Sequence, residues 1–222
     1  VPAAGAGRRM GSHVPKQYLE VGGLPILQHT LTRLSEHPQI RGVVVAISAG
    51  DEYWQSIAPH GLTSVTVAPG GQERADSVLS GLEVLSAQAA PDDWVMVHDA
   101  ARPLVPPEVI TNVVAAVRNG HAAVVPVVPL VDTIRTVTGD ASLGATVPRD
   151  SLRAVQTPQG FTRDVLQRAH AEVDAPVTDD AGMVERLGIA VHAVDGHEDA
   201  FKVTRPLDVV LAEALIEHRR TR

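Results

Sequence analysis

The feature that most constrains the fold is a rhythm along the chain, in which short unbroken apolar runs alternate with segments of helical period. Residues 43–47 read VVVAI, 64–67 form a shorter run, 94–98 read WVMVH, 122–128 read AAVVPVV and 190–194 read AVHAV. These runs do not alternate apolar with polar residues, which is the pattern of strands covered on both faces. Between them Leu27, Leu31 and Leu34 fall at helical spacing, as do Val78, Leu82 and Leu85. Val109, Val113 and Val117 repeat behind Pro106-Pro107, and Val209, Leu211, Ala212 and Leu215 follow Pro206; a proline suits a helix start in both places. The βαβα order predicts an α/β chain with a mostly parallel sheet and helices on both faces. A length of 222 residues suits one domain over 1–222, and with aromatics at only 3% the core has to be aliphatic.

One stretch breaks the rhythm. Across about 131–155, Val131, Thr133, Arg135 and Val137 alternate with Asp132, Ile134 and Thr136, and Thr138-Gly139-Asp140 is turn-like. This predicts a β-hairpin arm projecting from the sheet. Such a hairpin cannot bury itself, so it is expected to pack on a second subunit; the alternative is a hairpin folded back on its own domain.

Charge narrows the function. The net charge of −7, with no lysine-rich stripe, argues against a nucleic-acid partner. There is no run of 18 apolar residues for a membrane span and no visible signal peptide, so a cytoplasmic location is expected. With no cysteine, disulfides, thiolate nucleophiles and cysteine-ligated zinc are excluded. The ten histidines show no metal-ligand spacing, and His98 is read as structural.

A small anionic substrate remains possible, because it needs only a local positive cluster. The first 19 residues supply one: Arg8, Arg9 and Lys16, with no acid among them. They follow Ala3, Ala4, Gly5, Ala6 and Gly7, small residues that let backbone N–H groups approach phosphate oxygens. Taken alone, this segment is equally a tight turn with solvated arginines. In GGQERADSV, Gly70-Gly71 turns into a helix over 72–85, with Arg74 and Ser77 near its start, where polar ligands are favoured. In VHDAARP, Asp99 sits at the carboxyl end of a strand, the usual ligand position in open α/β sheets. Asp99 and Arg102 form a structural ion pair, or else present a carboxylate to Mg²⁺ or a hydroxyl beside a phosphate-binding arginine. Further on come TPQGF from Thr157, TDDA from Thr178 and KVTRP from Lys202. Thr178 reads as an N-cap with Asp179 and Asp180 in the first turn, and capping accounts for both acids.

PAAGAGRRM, PKQYL, GGQERADSV, VHDAARP, TPQGF, TDDA and KVTRP, in this order across almost the whole chain, resemble the 2-C-methyl-D-erythritol 4-phosphate cytidylyltransferase family of non-mevalonate isoprenoid synthesis. The resemblance implies a Rossmann-like nucleotidyltransferase fold, Mg²⁺-dependent chemistry and a homodimer joined through the arm. It implies that Arg9 and Lys16 stabilise charge on the CTP phosphates. Ala3, Ala4, Gly5, Gly7, Arg8, Gly71, Gln72, Arg74, Ser77 and Ala100 would surround CTP. Asp99, Arg102, Thr133, Thr157 and Thr178 would line the methylerythritol phosphate side, with Asp99 also the candidate Mg²⁺ ligand. Arg149, from the neighbouring subunit, and Lys202 would position that substrate's phosphate. Gln72 stands where relatives often carry Asp, and the strand before Pro2 is nearly absent.

A substrate phosphate oxygen would attack the α-phosphorus of CTP in line, and pyrophosphate would leave. A phosphate monoester is already an anionic nucleophile, so the barrier is mainly electrostatic. The rival readings are a ribitol-5-phosphate cytidylyltransferase, a sugar-1-phosphate nucleotidyltransferase with another base preference, and a catalytically silent nucleotide-binding module.

Overall fold

The computed structural model describes residues 1–5, 14–57, 64–87, 93–172 and 179–221. Arg8, Arg9, Gly7 and Thr178 lie outside the described residues. The N-terminal segment runs beside β3 (Val43–Ile47): the Ala46 N–H donates to Val1 O, the Ala3 N–H donates to Ala46 O, and Pro2 bridges Ala46 in parallel. A two-stranded ribbon, β1 (Glu20–Val21) and β2 (Leu24–Pro25), precedes α1 (Ile26–Ser35). After β3 come a single turn α2 (Trp54–Ile57), β4 (Val65–Pro69), α3 (Arg74–Ser86), β5 (Trp94–Val97), α4 (Pro107–Arg118) and β6 (Ala123–Pro129). β4 pairs in parallel with β3.

The remaining elements are β7 (Ile134–Val137), β8 (Leu143–Val147), β9 (Arg153–Val155), β10 (Gln159–Thr162), α5 (Arg163–Glu172), α6 (Asp180–Arg186), β11 (His192–Asp195) and α7 (Pro206–Arg220). The larger sheet has the order β11-β6-β10-β5, with β9 added beside β6. β11 runs parallel to β6, whereas β10 is antiparallel to both β5 and β6. β5, β6 and β11 therefore share one direction, and the expected mostly parallel sheet holds with β10 inserted in reverse. The TPQGF motif leads into this inserted strand, which periodicity does not mark because Gln159 and Gly160 interrupt the apolar run.

Burial on both faces explains the unbroken apolar runs. Val43, Val45 and Ile47 pack with Leu27, Leu31 and Leu34 of α1 and with Val109, Ile110 and Val114 of α4. Val44 and Ala46 point the other way, toward Val84 and Leu85 of α3. In β6 the same division puts Val124 with Val113 and Val117 of α4, and Ala123 and Val125 with Val165 and Leu166 of α5 and Val184 of α6. Helices thus cover both faces. Pro107 opens α4 and Pro206 opens α7, as their positions in the sequence predict.

The arm is shorter than the predicted 131–155. β7 and β8 pair only with each other among the described strands, while β9 returns to the sheet as an antiparallel partner of β6. A register shift between Arg135 and Val137 breaks the expected alternation. The turn spans Thr138 to Ser142: the Thr138 N–H donates to Ser142 O, and Asp140 accepts from the Thr138 hydroxyl and the Ser142 N–H. Val131, Val137 and Leu143 stay 80%, 68% and 60% exposed.

Candidate active site

The carboxyl ends of the N-terminal segment, β3, β4 and β5 converge, and their loops make the site. The Gly70 N–H donates to Ile47 O at 2.6 Å, and a Cβ on Gly70 would lie 2.3 Å from the Ala4 Cβ. Only glycine permits that approach, so Gly70 sets the spacing between the Ala3–Ala4 loop and the turn before α3. The Ser48 hydroxyl donates to Ala4 O, and Gln17 Nε2 donates to Ala3 O at 2.7 Å. The second bond ties the 3₁₀ turn Lys16–Tyr18 to the small-residue loop and carries Lys16 to the cavity. Tyr18 anchors that turn from below, its hydroxyl on Asp51 and its ring stacked on Tyr53.

α3 begins at Arg74, not at Gln72. Glu73 is the N-cap, and Asp76 accepts from the Glu73 N–H at 2.9 Å, closing a capping box. Ser77 is buried, and its hydroxyl accepts from the Gly71 N–H and donates to Glu73 O, so it fastens the turn.

Together these loops enclose a cavity of about 180 Å³. Ala3, Ala4, Gly5 and Lys16 line one wall, and Gly71, Gln72, Arg74 and Ser77 another. Asp99, Ala100 and Lys202 close the floor. A larger cavity of about 290 Å³ lies elsewhere, between β3 and β5. Its charged residues include Arg41 and Asp93, which are paired with each other, and it collects no cationic cluster. Lys16, Arg74 and Lys202 all line the smaller cavity.

Asp99 is the centre of charge. Its carboxylate meets Lys202 Nζ at 2.9 Å, Arg74 Nε at 3.4 Å and Arg102 Nε at 3.5 Å. Burial alone would raise its pKa, but Lys202 and Arg74, with the Lys202 hydrogen bond and Arg102, hold it well below the usual carboxylate range. The structural ion pair of Asp99 and Arg102 is present, and of the two only Asp99 lines the cavity. Arg102 is fixed by donating to Ala200 O at 2.6 Å.

A chain of buried polar groups braces this turn. The Asp99 N–H donates to Thr157 Oγ1 at 3.1 Å, Thr157 Oγ1 lies 3.1 Å from His98 Nδ1, and His98 Nε2 lies 3.2 Å from Arg102 O. With Thr157 O–H donating to Nδ1 and Nε2–H donating to Arg102 O, every group is satisfied and the imidazole is neutral. Burial pushes the His98 pKa down to about 4. Thr157, expected beside substrate, lies beneath Asp99 with its hydroxyl already committed.

The sign of the His98 effect follows. The unfolded imidazole, near pH 6.5, binds a proton that the folded one resists until about pH 4. Stability contributed by neutral His98 is present above about pH 6.5 and lost as pH falls toward 4. In urea titrations a His98→Gln variant is expected to show a flatter stability profile over that window. An equally steep profile in both proteins would remove His98 as the cause.

Other predicted residues fall outside the cavity. Thr133 is exposed at the base of the arm. Arg149, also exposed, donates to Val131 O, and neither residue lines the cavity of its own chain. Asp179, rather than Thr178, caps α6, accepting from the Gly182 N–H at 3.0 Å. Asp180 does not cap. It is fully buried and bonds Arg74 and His170, a role the capping reading missed. The signal was available in the sequence: Asp180 shares a helical face with the apolar Met183, Val184 and Leu187, and an acid on a buried face requires a partner.

A family model described as 2-C-methyl-D-erythritol 4-phosphate cytidylyltransferase matches residues 1–218. The chain belongs to the 2-C-methyl-D-erythritol 4-phosphate cytidylyltransferase family. Proteins of that name from Frankia casuarinae and Rhodococcus jostii are 50% and 47% identical to it, covering 97% and 98% of this chain and 79% and 93% of their own. The crystal structure of the cytidylyltransferase from Thermus thermophilus is similar at a TM-score of 0.80 and 39% identity, over 97% of this chain and 96% of that one. A crystal structure of a 4-diphosphocytidyl-2C-methyl-D-erythritol synthase gives a TM-score of 0.84 at 32% identity, over 97% and 95%. The Rossmann-like nucleotidyltransferase fold expected from the motifs is thus the fold found. As a member of this cytidylyltransferase family, the chain is an enzyme of CTP-dependent cytidylyl transfer to methylerythritol phosphate in isoprenoid synthesis.

Proposed function

We propose that the transfer takes place in the cavity around Asp99, with Lys16, Arg74 and Lys202 as its cationic groups. The observation that carries this reading is convergence: residues from five separate motifs of the sequence line one 180 Å³ space. The loop Ala3–Gly5 and the turn at Gly71 and Gln72 form its narrow wall, where a flat base and its ribose fit between backbones, and Ala100 borders the same space. Lys16 sits where charge builds on the leaving pyrophosphate. Arg9, with Gly7 and Arg8, belongs to the same loop in sequence and is assigned the same task. Lys202 and Arg102, on the Asp99 side, receive the attacking phosphate, and Thr178 and Thr133 are assigned to the substrate's polyol side.

No strong general base is needed, because the nucleophile is already an anion at neutral pH. The work of the protein is to bring two anions together and to stabilise the departing charge. Among the described residues, no three His, Asp or Glu converge as a metal cage. Asp99 offers one carboxylate, which suits a Mg²⁺ held mainly by substrate phosphates, and it is the residue assigned to hold that ion. Bound there, Mg²⁺ would supply charge neutralisation on the triphosphate.

The chain is proposed to act as one unit over 1–222, with the arm serving a homodimer. The exposed apolar residues Val131, Val137 and Leu143 support that reading, as does the absence of Arg149 from its own cavity. In a dimer the arm would deliver Arg149 to the partner's substrate. Arg149→Ala is then expected to raise KM for the sugar-alcohol phosphate about tenfold or more, with KM for CTP little changed. An unchanged KM would count against a shared site. Among the described residues no helix is long and apolar enough to cross a membrane, and a cytoplasmic location belongs to the same proposal.

The deciding assay is pyrophosphate release from CTP and Mg²⁺, with methylerythritol 4-phosphate and D-ribitol 5-phosphate at equal concentration. Turnover with the first alone, lost on chelation, is expected. Turnover with ribitol phosphate alone would move the enzyme to another pathway, and turnover with neither would point to a silent nucleotide-binding module.

A further inference from the structure

We propose that Asp180, locked by His170, is a positioning residue that fixes Arg74 in the nucleotide cavity. The sequence assigns Asp180 only to a helix start, and Asp179 already fills that role. Asp180 Oδ2 accepts from Arg74 Nη1 at 2.6 Å, and Asp180 Oδ1 lies 3.1 Å from His170 Nε2. The side chains of Asp180 and His170 are 1% and 2% exposed, whereas that of Arg74 is 30% exposed and lines the cavity.

A charged carboxylate is costly to bury unless its lone pairs are used, and here both oxygens have partners. His170 comes from α5 and Asp180 from α6, and both helices pack on the same sheet face as α3, which begins at Arg74. Because the imidazole holds one carboxylate oxygen, the other has a fixed direction, and it aims Arg74 Nη1 away from Asp99. Arg74 keeps only the longer 3.4 Å contact to Asp99 through Nε. Without Asp180, the guanidinium would be free to turn and form a two-pronged pair with Asp99, the usual geometry of arginine with a carboxylate. That would withdraw its charge from a nucleotide and tie up Asp99 as well. Asp180 touches neither substrate in this arrangement and acts only through Arg74.

The inference rests on the nucleotide reading of the cavity, so its test measures CTP binding directly, by calorimetry without the second substrate, beside steady-state kinetics. Asp180→Asn keeps the shape and removes the charge. It is expected to weaken CTP binding and raise KM for CTP about tenfold, the scale of one misplaced charge-assisted hydrogen bond, with KM for methylerythritol phosphate within about twofold of wild type. In an Arg74→Gln background the same change is expected to add nothing, because two residues acting as one unit are not additive. Additive losses, or equal rises in both KM values, would overturn the positioning role. If Asp180→Asn does not fold, His170→Leu carries the test, with a smaller rise that again vanishes in the Arg74→Gln background. A wild-type chain that binds CTP without turnover would remove the transfer reading and leave the positioning role to the binding data. Normal turnover with unchanged CTP binding in Asp180→Asn would overturn the positioning role alone.

Discussion

Lys16→Ala is expected to lower kcat by about 10²–10³, the cost of losing one donor aimed at transition-state charge. Lys16 lines the cavity from a turn that Gln17 binds to the Ala3 carbonyl, so the fold itself holds its position. KM values should move less than kcat, because charge on the pyrophosphate is greatest as it departs. Arg9→Ala is expected to act in the same direction. Near-normal turnover in both variants would take the leaving-group role away from this segment.

Asp99→Ala has the other large expected effect, and this one falls on stability and activity together. The carboxylate offsets Lys202, Arg74 and Arg102, and its removal leaves those cations facing one another. Breaking a fully buried pair from one side costs about 3–5 kcal/mol. Lys202 and Arg74 are 38% and 30% exposed, so solvent screens part of the repulsion and about 2–3 kcal/mol is expected in urea unfolding. The pH dependence gives a second reading of the same group. The folded Asp99 titrates below its unfolded value, so its contribution is present above about pH 4 and is lost as pH falls further. Asp99→Asn should lose much of that acid-limb dependence. A change below about 0.5 kcal/mol, with an unaltered acid limb, would show that Asp99 does not balance the cluster.

How much of this was legible in the sequence depended on how local the cause was. β3, β5 and β6 could be read because burial on both faces leaves an unbroken apolar run. α4 and α7 could be read because proline marks where a helix starts. β10 could not, since a strand inserted in reverse between β5 and β6 owes its place to its neighbours, and its own residues Gln159 and Gly160 look like loop. In the site, the basic and small residues near the start and Asp99 at a strand end were visible as chemistry. The bracing bonds of Thr157 to the Asp99 N–H and to His98 are not legible, because a hydroxyl in a motif gives no sign of which neighbours the fold brings to it. Asp180 was passed over for the complementary reason: an acid at a helix start already has a satisfactory local explanation, and only the third dimension brings Arg74 and His170 to it.

The mutual pairing of Asp99 with its surrounding cations has a consequence for how the enzyme meets the crowd of small anions in a cell. Lys202 is already paired with Asp99, so a lone sulfate or inorganic phosphate would gain little by displacing it. In the proposed site, an anion that also brings a base and ribose would draw on the rest of the cavity to break those pairs. The same balance would let a chain of net charge −7 gather Lys16, Arg74 and Lys202 at one cavity, and would disfavour competitors that share only the substrate's charge.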